Sequence, residues 1–163
     1  MSTHDLKDAF IAEMRDMLGA EKQINKALKK MSRKASNADL KAAFEEHLKQ
    51  TEGQVERLMS ALEAAGLKAR AKHCPGIAGI IEEGEEVIEQ ADSPEVLDAM
   101  LIAAAQKVEH YEIATYGTLC TWGEQLGLSE PVELLKKTLQ QEKATDEKLT
   151  KLAKKLNLQA QPA

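Results

Sequence analysis

The sequence has 163 residues, of which 43% are hydrophobic, 3% aromatic and 30% charged, with four prolines and nine glycines. This composition is typical of a protein built from long helices, and it argues against a β-sandwich or a β-barrel. The formal net charge of −5 argues against a general nucleic-acid-binding protein.

Capping residues divide the first half of the chain into predicted helices. Ser2 and Thr3 can cap the first helix, and Ser36 or Asn37 the second, because short polar side chains accept hydrogen bonds from the free amides of a first turn. The loop GLKARAKHCPGIAG follows, and IIEEGEEVIEQA is predicted as a short helix inside a long connection. All predicted helices together cover about residues 3–34, 37–65, 77–91, 94–126 and 130–156.

The second half of the chain repeats the pattern of two long helices with a short turn. Ser93 and Pro94 open the third long helix, because proline is favoured at the first helical position, and that helix ends near Gly127. Ser129 opens the last helix. The pattern predicts an all-α, ferritin-like four-helix bundle of two antiparallel hairpins, in one domain over residues 1–163, with a long crossover that carries the short fifth helix.

The chain shows no sign of export. The N-terminal residues MSTHDLKDAF lack the apolar stretch of a secretory signal, and the longest apolar runs are far shorter than a membrane span. Cys74 and Cys120 lie far apart and form no Cys-x-x-Cys motif, so we expect two unpaired, unreactive thiols. We therefore expect a cytoplasmic protein that binds neither membranes nor nucleic acid.

Three of the four long predicted helices carry a carboxylate on their apolar face. At 100° per residue, Glu21 points along the apolar stripe of the first helix, and Glu112 and Glu142 lie within the stripes of the third and fourth. Glu109 stands about 60° to one side of the same stripe as Glu112. On the second long helix, His47 stands at the edge of the stripe.

These residues are predicted to lie in one layer near the middle of the bundle. Counted from the nearest turn, Glu21 and His47 lie about 14 and 12 residues away, and Glu112 and Glu142 about 16 and 14. Two residues correspond to about 3 Å of helix. Bare carboxylates that converge in an apolar core are severely unfavourable, whereas an oxygen-rich site with an imidazole suits iron or manganese. The candidate metal ligands are Glu21, His47, Glu109, Glu112, Glu142 and Asp146.

Structural alternatives exist for several of these residues. Glu109 alone could reach the solvent or pair with a lysine, and Asp146 could be an exposed acid. His47 could be a hydrogen-bonded core histidine rather than a metal ligand. Tyr111 and Tyr116 are interpreted as packing residues rather than redox groups.

The segments around the candidate ligands carry a family resemblance. They are AEKQINKAL, HLKQTEGQVERL, AAQKVEHYEIATYGTL and QEKATDEKLTKL. Together with the crossover segment IIEEGEEVIEQA, they resemble the YciE/YciF family of bacterial stress-associated ferritin-like proteins. The resemblance covers nearly the whole chain, and VEHYEIATYGTL is its most specific part. It implies a ferritin-like fold, a centre of two transition-metal ions, expected to be iron with manganese as the alternative, and a homodimer.

The chain also departs from the better-understood ferritins and rubrerythrins. Ferritins and rubrerythrins typically carry a Glu-x-x-His pair on the second helix, and rubrerythrins carry another on the fourth. Here no histidine follows Glu45 or Glu142 by three residues, so His47 and Asp146 are the expected replacements. Glu109 and the glutamate three residues later do resemble the Glu-x-x-Glu of the third helix of rubrerythrin. No rubredoxin-type cysteine cluster is present in the sequence, so no internal electron donor is expected.

Two functions are compatible with these features. The first is a dinuclear metal protein of the stress response that handles iron together with oxygen or peroxide, with ferroxidase-like or peroxidase-like activity. The second is a non-enzymatic dimeric bundle that protects other components of the cell, in which metal only stabilises the fold or is sequestered. The residues themselves assign no catalytic side chain and no organic cofactor.

Overall fold

A computed structural model of the chain describes residues 3–162. Within that range the chain forms five helices and no strand. The helices are α1 (Leu6–Lys34), α2 (Ala38–Ala64), α3 (Pro75–Gln90), α4 (Pro94–Gln125) and α5 (Ser129–Leu156).

The four long helices form a closed ring. Consecutive helices α1 and α2 pack together, as do α4 and α5, and the two hairpins meet where α2 packs on α5 and α1 packs on α4. The short helix α3 lies in the crossover between the hairpins and packs on α1 and α4. The predicted all-α, ferritin-like bundle with a fifth helix in its crossover is confirmed. Across the described residues, no helix has the length and apolar composition needed to cross a membrane.

Two predicted helix caps are confirmed. The side chain of Asn37 accepts hydrogen bonds from the amides of Asp39 and Leu40 at 2.9 and 3.2 Å. Ser93 accepts one from the amide of Val96 at 3.2 Å, directly before the proline that opens α4. Local sequence chemistry therefore determines where these two helices begin.

The predicted starts of the other helices need correction. The first helix begins at Leu6 rather than near residue 3, because the carboxylate of Asp5 accepts a hydrogen bond from the Asp8 amide at 2.8 Å. Thr3, one of the two predicted caps, is therefore not the cap of α1. Ser2, the other predicted cap, lies outside the described residues. The helix α3 begins at Pro75 rather than near residue 77, because Cys74 caps it. Ser129 is the first residue of α5 and not its cap. All other starts and ends of the helices agree with the predictions within one residue.

One buried carboxylate joins the two hairpins at the α1–α2 turn. Asp98, in the first part of α4, is 5% exposed and accepts hydrogen bonds from the backbone amides of Ser36 and Asn37, both at 2.8 Å. The turn of one hairpin is thereby fixed to the start of the other. This contact helps to set the relative depth of the two hairpins.

The crossover passes directly over α1. The amide of Lys72 donates a hydrogen bond to the carbonyl of Arg15 at 2.9 Å. A Cβ atom on Gly19 would lie 1.6 Å from the carbonyl oxygen of Lys72, so only glycine permits this approach. The contact lies half a turn before Glu21, at the depth of the polar layer described next.

Candidate metal centre

Four buried residues from three helices converge in the middle of the bundle. They are His47 on α2, Glu109 and Glu112 on α4, and Glu142 on α5. One potential ligand atom from each of them lies within 4.8 Å of all the others. All four side chains are at most 3% exposed. This arrangement can bind a metal ion, because it gathers three carboxylates and an imidazole away from water.

A fifth predicted ligand, Glu21 on α1, lies next to this group. It is fully buried, and its electrostatic interactions with Glu142 and Glu112 show that the three carboxylates are neighbours. The hydroxyl of Tyr116 donates a hydrogen bond to Oε1 of Glu21. Every long helix therefore contributes to one polar layer, as the depths counted along the sequence predicted.

The carboxylate oxygens in this layer have few partners. Among residues 3–162, neither oxygen of Glu112 accepts a hydrogen bond. The same holds, in the described chain, for Oε2 of Glu21, of Glu109 and of Glu142. A buried carboxylate oxygen without a partner is costly, and natural proteins seldom retain one unless an ion or ligand compensates for it.

Burial and mutual repulsion determine the protonation of the layer in the absence of cations. Burial raises the pKa of Glu21, Glu109 and Glu112 well above the ordinary value of 4.5, and the nearby Glu142 raises each of them further. A smaller opposing effect acts on Glu21, whose pKa is lowered by the Tyr116 hydroxyl. A bound cation would reverse the balance, because it stabilises the charged carboxylates directly.

His47 is more central than the sequence predicted. It was expected at the edge of the apolar stripe, yet it is 3% exposed and belongs to the buried face of α2 with Thr51 and Gln54. Counting 100° per residue also places the apolar Leu48 and Val55 on the stripe of α2, but both are only partly buried. The position of the apolar residues predicts a buried face that is rotated away from the observed one. The reason is that polar residues, His47, Thr51 and Gln54, occupy the centre of the observed buried face of α2.

The imidazole of His47 is suited to metal binding. Its Nε2 lies 3.1 Å from Oε1 of Glu109, but neither ring nitrogen makes a well-aligned hydrogen bond within the described residues. Burial lowers the pKa of His47, which favours the neutral form that binds metal ions. The hydroxyl of Thr51 donates to the backbone carbonyl of His47 at 2.9 Å and leaves the ring nitrogens available.

The structure adds one residue that the sequence analysis did not identify. Gln54, which is fully buried, donates a hydrogen bond from Nε2 to Oε1 of Glu142. Gln141 lies 3.4 Å from the same Nε2 and accepts a second bond from Arg57 at 2.8 Å. Gln54 lies two turns after His47 on the same face, and this spacing was the available signal. These contacts hold the Glu142 carboxylate in place.

Asp146 lies near the layer but does not join the cluster. Its Oδ1 accepts a hydrogen bond from Gln106 at 3.0 Å and lies 3.4 Å from Nε2 of His110. The side chain is 22% exposed, and its charge contributes to the raised pKa of Glu109. In this structure the carboxylate of Asp146 contacts Gln106 and His110 instead of the cluster. Its role as a metal ligand stays a prediction.

The remaining tyrosine and both cysteines lie elsewhere. The hydroxyl of Tyr111 is 3.1 Å from the sulfur of Cys74, at the start of α3. Cys74 and Cys120 are both buried and unpaired, as expected. Tyr116 packs in the core, as expected of a packing residue, but it also holds one oxygen of Glu21.

Comparison with known proteins places the chain among close relatives. A family model described as a domain of unknown function, DUF892, matches residues 5–161. The chain is 51% identical to Protein YciF of Escherichia coli (strain K12) over 154 residues, which cover 94% of this chain and 93% of that protein.

Solved structures agree with the sequence comparisons. The crystal structure of the E. coli stress protein YciF superposes with a TM-score of 0.91 at 50% identity, covering 94% of this chain and 98% of that one. YcfI of Rhodopseudomonas palustris, for which a structural role has been suggested, superposes with a TM-score of 0.89 at 42% identity over 90% of this chain and 94% of that chain. A Xanthomonas campestris protein, XCC3681, shares the fold at 19% identity, with a TM-score of 0.75 over 94% and 93% of the two chains. With the family model spanning nearly all of its length, the chain belongs to the DUF892 family, the family of YciF.

Proposed function

We propose that this chain is a dinuclear metal protein of the bacterial stress response, which binds two ions of iron or manganese and handles oxygen or peroxide. The stress connection comes from the description of its relative YciF, to which it is 50% identical in the solved structure. The metal centre rests on one observation. The buried carboxylates carry oxygen atoms that have no partner in the described chain.

The charges of the layer support two ions rather than one. Four glutamates, Glu21, Glu109, Glu112 and Glu142, lie in it, and each is at most 1% exposed. Two divalent cations would neutralise four ionised carboxylates, whereas one would leave about two buried negative charges without compensation. The oxygen-rich donors and the single imidazole suit iron or manganese better than they suit zinc or copper.

The positions of the glutamates suggest how they would share the ions. One ligand atom from each of His47, Glu109, Glu112 and Glu142 lies within 4.8 Å of the others, and Glu21 is close enough to raise the pKa of both Glu109 and Glu112. Glu21, His47, Glu109, Glu112 and Glu142 would therefore hold the two ions together.

The chain would control the centre through its own side chains. Bound iron or manganese ions would supply one-electron chemistry toward oxygen or peroxide. Tyr116 and Gln54 hold one oxygen each of Glu21 and Glu142 and so orient the free oxygens. The neutral imidazole of His47 is available without loss of a proton, and burial of the layer excludes bulk water.

Metal loading and oxidation kinetics test the proposal. The protein would be purified without chelators after growth with added iron, and metal per chain would be measured. We expect about two ions per chain for the wild type and for Glu133→Gln, an exposed control on α5, and far fewer for Glu112→Gln. Ferrous ion given to the protein should be oxidised by oxygen or peroxide faster than in buffer alone. Well under one bound ion per chain would reject the metal centre.

A second candidate function is a purely structural, dimeric stress-protection bundle. The role suggested for YcfI favours it, and that protein is 42% identical to this chain. The same measurements separate the two functions. Bound metal with no acceleration of ferrous oxidation would support a stabilising or sequestering role. The homodimer is part of both proposals, and the molecular mass in solution tests it directly.

A further inference from the structure

A cavity of about 110 Å³ leads toward the polar layer between α2, α4 and α5. Its lining includes His47 and Glu109, two members of the four-residue cluster. The His47 ring, 3% exposed, has no aligned hydrogen bond on either nitrogen within residues 3–162. The cavity therefore ends at a buried imidazole that contacts Glu109 but makes no aligned hydrogen bond in the described chain.

Small side chains create this space. Ala43 and Ala105 line the cavity, and each lies one turn before a cluster residue, His47 and Glu109 respectively. Side chains on a helix lean toward its N-terminus, so His47 and Glu109 extend over the two alanines. Ala144 on α5 lines the same cavity and is exposed, which places it at the outer rim.

An ion pair lies at the rim. Nζ of Lys148 is 2.5 Å from Oε2 of Glu46, and the two side chains are 48% and 57% exposed. Both residues line the cavity. They neutralise each other, so the entrance carries one cation and one carboxylate that face the solvent together.

We propose that this cavity is the route by which divalent metal cations reach the buried cluster. Glu46 is the first carboxylate that an incoming ion meets, and Lys148 competes with the ion for it. His47 and Glu109 then receive the ion at the inner end. This inference rests on the proposed metal centre and adds the path and the residues that control the rate of loading.

The charges at the entrance allow a test with opposite signs. Apo protein would be mixed with Co²⁺ in a stopped-flow instrument, and binding followed by the absorbance of the protein-bound ion. Lys148→Gln should accelerate uptake and Glu46→Gln should slow it, each by roughly two- to tenfold at low ionic strength. Added salt should reduce both effects, because exposed charges are screened. The final number of bound ions per chain should equal that of the wild type in both variants.

A steric test examines the passage itself. Ala144→Leu should slow uptake and leave the final stoichiometry unchanged. Ala42→Leu is the matched control, since Ala42 is also an exposed alanine in a helix but does not line the cavity. The route is wrong if wild type binds Co²⁺ but the rate of uptake is unchanged in Ala144→Leu, Lys148→Gln and Glu46→Gln. It is also wrong if the two charge variants change the rate in the same direction. In both cases the proposed metal centre stands. If the wild type binds no Co²⁺, Fe²⁺ or Mn²⁺, both proposals fail.

Discussion

The two oxygens of Glu21 have different surroundings. One accepts a hydrogen bond from the Tyr116 hydroxyl, and the other has no partner in the part of the chain that the structure describes. The phenol therefore selects which oxygen remains available to an ion. It also lowers the pKa of Glu21 against the larger effect of burial, so it makes the charged form, which a cation would bind, more accessible.

Removal of this hydroxyl should weaken metal binding. Tyr116→Phe is expected to reduce the affinity for Mn²⁺ by about tenfold, the lower end of what the loss of a ligand-orienting hydrogen bond costs. Titration calorimetry on apo protein would measure it. Tyr111→Phe is the control, because that hydroxyl contacts the sulfur of Cys74 instead of a cluster carboxylate. Equal affinities of the two variants would contradict the orienting role of Tyr116.

The glutamate layer should make the metal-free protein less stable as pH rises. The pKa values of Glu21, Glu109 and Glu112 lie above 4.5 in the folded protein, so the folded state binds more protons than the unfolded state above that pH. The stabilisation is complete below the ordinary pKa and is lost as pH rises through the raised values. Thermal unfolding with a chelator present, from about pH 5 to pH 8, should show a falling melting temperature.

Metal should change this pH dependence. Protons compete with cations for the carboxylates, so metal-loaded protein should gain affinity, and therefore stability, over the same pH range. A chelated sample whose melting temperature rises from pH 5 to pH 8 would show that the glutamates are not the dominant titrating groups.

The fate of single residues shows what the sequence could predict about the site. Counting along the helices gave the correct depth for Glu21, Glu112 and Glu142, because helical rise is constant. It could not give the rotation of each helix about its own axis, which depends on the packing of neighbours. Asp146 was therefore level with the site but turned toward Gln106. The spacing of Gln54 places it on the same face as His47, but its bond to Glu142 is a contact with another helix that spacing alone does not show.

At the scale of the helices, the crossover depends on a single glycine. The backbone of Lys72 approaches α1 so closely that any side chain on Gly19 would overlap it. The crossover must move to accept even a methyl group, and its hydrogen bond to Arg15 would be strained. Gly19 lies in α1 two residues before Glu21, so the close approach of the crossover is next to the candidate site.

Two glycine-to-alanine substitutions should therefore have opposite effects. Gly19→Ala should destabilise the fold by about 1–3 kcal/mol through overpacking. Gly53→Ala, inside α2 with open space around it, should stabilise the fold by about 0.5–1 kcal/mol, because alanine loses less entropy in a helix. Urea unfolding of both variants would measure the difference. A neutral effect of Gly19→Ala would mean that the crossover does not hold its position on α1.

The start of a helix was predictable where one residue alone could cap it. It was ambiguous where several neighbouring residues could. Asn37 and Ser93 each cap the helix that follows them, so sequence alone sufficed. Near the N-terminus several residues could cap, and the side chain of Asp5 does so. Cys74 is a rare cap, and its neighbour Pro75 was the better indication that α3 begins there.

At the scale of the molecule, the site draws on both hairpins. Glu21 and His47 come from the first, and Glu109, Glu112 and Glu142 from the second. A metal ion bound between them would stabilise the docked state by mass action. Mn²⁺ at about a hundredfold excess over its dissociation constant should add about 2.7 kcal/mol to the free energy of unfolding.

Glu112→Gln should remove most of this metal-dependent gain. In the presence of a chelator at about pH 8, the same variant should be more stable than the wild type, because it buries one carboxylate fewer. The exposed Glu133→Gln should behave as wild type in both conditions. Equal losses of stability with and without metal would assign Glu112 to a structural contact instead.

The position of Asp98 has a consequence for the life of the protein in the cell. Its bonds to Ser36 and Asn37 bring the hairpins together at one depth, and this docking forces the glutamates of α1, α4 and α5 into proximity. In copies without metal, the repulsion between these glutamates would make unfolding more frequent. Proteases degrade the unfolded copies. Turnover would then remove unloaded copies first, and the abundance of this protein would follow the supply of metal even at a constant rate of synthesis.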